Sequence, residues 1–139
     1  APEGKTEYRS QCLVYTNISE IPHLTDLISA LPKVQFKIAS RQHVTDKLAQ
    51  LITYPNVTVY SAIAGLNGLD LELVRTSDLL LDINPGRKVV EILDAFRFEN
   101  KPILGFEDLK STKHNQQTYS RDRWKEMAET IRQMRKKSL

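Results

Sequence analysis

The chain has 139 residues, 40% of them hydrophobic and 27% charged, with a formal net charge of +3; this suits one soluble globular domain with a core of its own. No apolar run approaches the roughly 20 residues of a membrane-spanning helix, and no signal-peptide pattern opens the chain. The lone cysteine, Cys12, rules out an internal disulfide.

Residues 1–10, APEGKTEYRS, are polar and aperiodic and read as a leader or the stub of a linker; the folded domain is expected over 11–139. QCLVYT (11–16) is a short β-rich run in which Cys12 reads as a small buried hydrophobe. SEIPHLTDLISAL (19–31) spaces Ile21, Leu24, Leu27, Ile28 and Leu31 as a helix, with Ser19 as N-cap and Pro22 in the first turn. VQFKIA (34–39) alternates as a strand. HVTDKLAQLI (43–52) returns to helical spacing, and Pro55-Asn56 breaks the chain before VTVY (57–60). GLDLELVRTS (68–77) is a weaker helix. DLLLDI (78–83) is a continuous apolar strand, the kind expected where both faces are covered. A helix is predicted over about 87–99, a fifth strand in KPILGF (101–106), a polar loop over 107–120 and a last helix over about 121–137.

This alternation predicts a Rossmann-like, doubly wound parallel sheet of five strands, ordered 3-2-1-4-5, with helices on both faces. Residues 121–139 hold seven Lys/Arg against three Asp/Glu. With Trp124 their only aromatic, they read as a solvated helix end with cations at its C-terminal dipole, not as a nucleic-acid surface. Trp124, Met127 and Ile131 share one face of that helix, available to the domain's own sheet, a neighbouring molecule or a further half of the protein. Asn17-Ile18-Ser19 and Asn56-Val57-Thr58 match the glycosylation sequon and, without a secretory signal, read as chance. A cytoplasmic location is expected.

In such a sheet ligands bind beyond the carboxyl ends of the strands, near the switch between strands 1 and 4. The loops there carry Thr16 and Asn17, Ser40 and Arg41, Ser61 to Ala64, Asn84 to Lys88, and the segment from Glu107 onward. The turn Asn84-Pro85-Gly86 brings Arg87 and Lys88 to the mouth of the 87–99 helix, whose dipole already favours an anion. Pro85-Gly86 lets backbone approach a ligand with no Cβ in the way. Arg87, Glu91 and Asp94 share the polar face, so phosphates at the mouth and ribose hydroxyls on an acid would suit a nucleotide. The same spacing also suits an ordinary Arg87–Glu91 pair on an exposed face. No GxGxxG follows the first strand, and there is no P-loop. His23, His43 and His114 show no metal-ligand spacing and read as structural or surface residues. No Ser-His-Asp or Cys-His set is recognisable, and paired acids for a phosphoacceptor site are lacking.

CLVYTN, ALPKVQFKIAS, YPNVTVYSAI, SDLLLDINPGRKVVEILDAF and KPILGFED together resemble the C-terminal half of bacterial GT-B glycosyltransferases. They look most like those that glycosylate serine-rich surface adhesins, and like their non-catalytic accessory partners. The resemblance covers roughly 11–120. It implies a half-domain binding a nucleotide sugar, taken to be a UDP-sugar, beside an N-terminal Rossmann-like half that binds the acceptor. It places Asn84, Gly86, Arg87 and Lys88 near the diphosphate and sugar, and Asp94, in LDAF, where the related LEAM motif has its ribose-binding acid. Many retaining members carry a further glutamate where this chain has Gly86, eight positions before Asp94. No catalytic residue is therefore assigned. The alternative is an accessory module that binds an acceptor protein or a partner glycosyltransferase subunit. No metal is expected, because the chain lacks an Asp-x-Asp pair.

Overall fold

The computed structural model describes residues 8, 10–16, 20–40, 46–61, 68–85, 90–109 and 117–134. In chain order the elements are β1 (Ser10–Tyr15), α1 (Leu24–Ala30), β2 (Val34–Ala39), α2 (Asp46–Ala49) running into a 3-10 turn (Gln50–Thr53), and β3 (Val57–Tyr60). They continue with α3 (Leu69–Arg75), β4 (Leu79–Asp82), α4 (Val90–Phe98), β5 (Ile103–Phe106), β6 (Gln117–Tyr119), a 3-10 turn (Arg121–Arg123) and α5 (Trp124–Gln133). The strands form one parallel sheet in the order β3-β2-β1-β4-β5-β6. No helix among the described residues is long and apolar enough to cross a membrane.

The expected 3-2-1-4-5 order holds, but the sheet has six strands, not five. β6 lies inside the segment read as a polar loop. It is three residues long, Gln117-Thr118-Tyr119, pairs with β5 on one side only and is not fully buried. So short an edge strand needs no apolar run, and nothing in its composition separates it from loop.

Both sheet faces are covered. Cys12, Val14, Phe36, Ile38, Leu79 and Leu81 pack beneath α1, α2 and α5, with Met127 and Ile131 of α5 fully buried among them. Leu13, Tyr15, Ala39 and Leu80 pack on the other face beneath α3 and α4, against Leu73, Ile92, Leu93 and Phe96. Of the three surfaces open to α5, it takes its own sheet. Arg132 donates to Ala30 O at 3.1 Å, and Tyr119 and Thr130 share a 2.7 Å hydrogen bond. The Cys12 thiol is fully buried, and burial, with the nearby Asp78 charge, pushes its pKa up.

Helix ends differ from the periodicity. α1 starts at Leu24, after His23 in a left-handed conformation (φ 61°). There the imidazole bonds Asp26 at 2.9 Å, stacks on Trp124 (centroids 5.6 Å apart) and meets the edge of Phe106. These contacts hold the chain out of helix before Leu24. α2 tightens to a 3-10 turn where β-branched Ile52 and Thr53 precede Tyr54-Pro55, a pair that disfavours α geometry. α5 begins at Trp124, after the 3-10 turn, and not near 121; residues 86–89, where the 87–99 helix is expected to start, and 135–137 lie outside the described residues.

Two buried polar side chains tie the layers together. The Asn56 amide nitrogen, 4% exposed, donates to Ile28 O, Leu31 O and Val34 O at 3.3, 3.0 and 3.1 Å, while Asn56 O accepts from Phe36 N. It thereby locks the end of α1, the turn into β2 and the approach to β3. An amide so placed is closed to glycosylation. Lys37, on the nominally polar side of β2, is also buried; its ammonium bonds Thr76 O at 3.1 Å and Thr76 Oγ1 at 2.8 Å. Lys101 donates to Val74 O at 2.7 Å and Arg75 O at 3.0 Å. Two cations thus complete the C-terminus of α3, where carbonyls lack partners and the dipole is negative. Burial lowers the Lys37 pKa and nearby Lys101 acts the same way, while Asp78 and Glu72 oppose the shift.

Replacing Asn56 by Ala should cost about 1–3 kcal/mol in denaturant unfolding, because the hydrogen bonds from its amide to the carbonyls of Ile28, Leu31 and Val34 are lost. Asn56→Asp should cost more at neutral pH, where a carboxylate faces those oxygens, and should recover on acidification. For Lys37 the unfolded chain holds its proton to higher pH than the folded chain, so this group's contribution to stability rises with pH just below 10.5. The stability of the parent relative to Lys37→Met, followed by unfolding across that window, should increase.

Candidate functional site

β1 is hydrogen-bonded to both β2 and β4, and the chain leaves β1 towards α1 on one face but leaves β4 towards α4 on the other. The crevice of this architecture therefore opens between the carboxyl ends of β1 and β4. Polar residues collect there and are buried: Thr16 (2% exposed), Ser40 (3%), Asp82 (6%) and Asn84 (3%). The ladder continues past the strand ends, with Thr16 N donating to Ala39 O and Ser40 N to Tyr60 O, each at 2.9 Å. Tyr15, Asp82 and Asn84 line a cavity of about 20 Å³ under Ile92 and Leu93 of α4, room for about one water. The Tyr15 hydroxyl donates to Asp70 Oδ1 at 2.7 Å, joining the end of β1 to the first turn of α3.

A larger space lies beside this edge. α3 and α4 pack side by side and flank an open, shallow groove of about 590 Å³ lined mostly by exposed side chains. Gly68, Glu91 and Asp94 line the end near the helix mouths; Arg75, Phe98 and Glu99 line the other. Gly68 precedes α3 at φ 80°, a conformation that favours glycine, with open space where a Cβ would stand.

Of the residues named from the sequence, Thr16 and Asn84 lie buried at the ends of β1 and β4, and Ser61 is exposed just past β3. Asp94 is exposed in the second turn of α4; it shares the α3–α4 groove with Glu91, as the helical spacing predicted, and does not line the small cavity. Asn17, Arg41, Gly86, Arg87 and Lys88 lie outside the described residues. Sequence reasoning missed Asp70 and Tyr15, 55 positions apart, for which no local signal exists. It also passed over Asp82 as a site residue, although a carboxylate closing an apolar run was a usable sign.

Fold and layout define the class: a doubly wound, Rossmann-like α/β domain with polar residues gathered at its switch point. The family model described as the GftB/GlyA-F C-terminal domain matches residues 12–139, and the chain belongs to that family. It is 46% identical over 125 residues to glycosyltransferase GlyA of Streptococcus pneumoniae serotype 4, covering 90% of this chain and 18% of GlyA. It is 33% identical over 106 residues to the UDP-N-acetylglucosamine--peptide N-acetylglucosaminyltransferase stabilizing protein GtfB of Streptococcus gordonii, covering 76% of this chain and 23% of GtfB. Among solved structures, the glycosyltransferase GlyE of Streptococcus pneumoniae TIGR4 superposes with a TM-score of 0.83 at 27% identity, over 96% of this chain and 34% of GlyE. A GtfA/B complex bound to UDP and GlcNAc superposes with a TM-score of 0.77 at 28% identity, over 91% of this chain and 29% of that one. The chain thus spans about a fifth of these two curated relatives and about a third of the solved chains.

Proposed function

We propose that this chain is the donor-binding half of a GT-B glycosyltransferase that takes a UDP-sugar and passes the sugar to a protein or glycan acceptor. The observation that carries this reading is Asp94: with Gly68 of the turn before α3 it lines the open α3–α4 groove, in the helix that Gly86, Arg87 and Lys88 precede in sequence. Ribose hydroxyls would bond Asp94. The diphosphate would meet the helix N–H groups, Arg87 and Lys88, with Thr16, Asn17, Arg41, Ser61 and Asn84 around it. Charge developing on the leaving diphosphate would be stabilised by these fixed dipoles and cations, with no metal called for. The UDP in the related GtfA/B complex supports the choice of nucleotide. Acceptor binding falls to an N-terminal Rossmann-like half, and the reaction is placed in the cytoplasm.

A second reading has its own support. Gly86 stands where many retaining relatives carry an acid, and the GtfB relative is named for stabilising another glycosyltransferase. The chain would then be an accessory module that holds a partner subunit or an acceptor protein.

Titration of the isotope-labelled chain with UDP should move amide resonances at Ser61, Gly68, Asn84 and Asp94. Saturating UDP without those shifts removes the donor reading and leaves the accessory one. Asp94→Ala should weaken UDP binding by about 1–3 kcal/mol with the fold intact; unchanged affinity by calorimetry would make Asp94 a surface acid.

The chain by itself should melt cooperatively yet transfer no sugar, because donor and acceptor must be held in one geometry and that alignment supplies several kcal/mol of the barrier. Transfer by 1–139 alone in a radiolabelled-donor assay would overturn the division of labour between halves.

A further inference from the structure

A second groove, of about 430 Å³, runs between α1 and the α2–3-10 segment, on the sheet face opposite α4. Of the residues assigned to the donor, the described ones, Thr16, Ser61, Asn84 and Asp94, are not among its lining. Ile21 and the half-buried Tyr54 contribute apolar surface. Glu20 and Lys47 form an ion pair there, so these charges cancel. Both side chains are well exposed, at 73% and 64%, and such a pair is worth little and yields readily to a ligand. The Thr25 hydroxyl and the Gln50 amide also line the groove and have no protein partner among the described residues.

These features select a ligand chemistry. Among the described lining residues the one cation, Lys47, is matched by the one acid, Glu20, so these residues offer a phosphate no net positive charge. An extended peptide would need a row of open backbone N–H and C=O groups, whereas the walls here are helical side chains. What remains is a neutral molecule with one apolar face and several hydroxyls. We infer that this groove is a saccharide-binding site, seating a pyranose with its C–H face on Ile21 and Tyr54 and its hydroxyls on Glu20, Thr25, Lys47 and Gln50. Identifying that saccharide as part of the acceptor glycan rests on the glycosyltransferase reading; the binding itself does not.

The test titrates the isotope-labelled chain with methyl glucoside, methyl galactoside, N-acetylglucosamine, maltose and lactose. At least one should shift the amides of Thr25, Lys47 and Gln50 saturably, with or without UDP present. Gln50→Ala, at an exposed position, should bind that sugar about fivefold more weakly, the loss of one ordinary hydrogen bond, with the remaining spectrum and UDP binding unchanged. No saturable shift at these amides with any of the sugars would overturn the inference. So would a Gln50→Ala variant that binds as the parent does, or shifts produced only by a serine- and threonine-rich peptide. Failure of UDP to bind would leave the saccharide readout standing, since it is reported by different amides.

Discussion

Both faces of β1 and β4 must be kept from water at once, and the rest of the architecture follows from that requirement. Leu13, Val14, Leu79, Leu80 and Leu81 are each 3% exposed or less. A two-sided apolar pair cannot sit at the surface of a sandwich; it needs helices above and below, and parallel strands reach that state only through helical crossovers. Right-handed crossovers then send α1 and α2 to one face and α3 and α4 to the other. The place where the direction of winding reverses is the crevice beyond β1 and β4. The candidate site is thus a geometric by-product of burying five aliphatic side chains.

Three long polar side chains answer backbone carbonyls between the layers. Asn56 satisfies carbonyls at the end of α1 and the entry to β2, and Lys37 and Lys101 satisfy those at the end of α3. All three act away from the carboxyl edge, so the sheet is pinned at one end and presents polar residues at the other. Rigid support with a polar rim is what a ligand site on loops requires. The Tyr15–Asp70 bond extends that support into the rim by fixing α3 against β1, and with it the position of the Gly68 turn over the α3–α4 groove.

A half-domain of this kind can serve catalysis or assembly with the same scaffold, because the sheet specifies where a ligand can lie and not what is done to it. On the donor reading, the side chains that would matter are Asp94 and those that precede α4 in sequence. Gly86 at the place of an acid, and a relative named for stabilising a transferase, speak for assembly.

Fold type was legible in the sequence because burial leaves a one-dimensional trace. The apolar run of β4, the alternation of β2, and the spacing of Ile92, Leu93 and Phe96 or of Met127 and Ile131 each encode which face meets the core, and the structure buries those residues. Strand order likewise locates the switch point, and Thr16 and Asn84 do lie at the ends of β1 and β4. β6 was not legible, because three residues bonded on one side carry no periodic signal. Lys37 stands in the polar phase of an alternating strand; only the arrival of α3 overhead, with Thr76 O and Oγ1 to accept its hydrogen bonds, makes its burial tolerable. Asp70 against Tyr15, Asn56 against α1, and the grooves between helices depend on which elements become neighbours. The sequence determined which side chains had to be buried; the tertiary structure alone decided which distant polar groups meet, because hydrogen bonds act over about 3 Å and the chain brings those atoms that close only after the layers have packed.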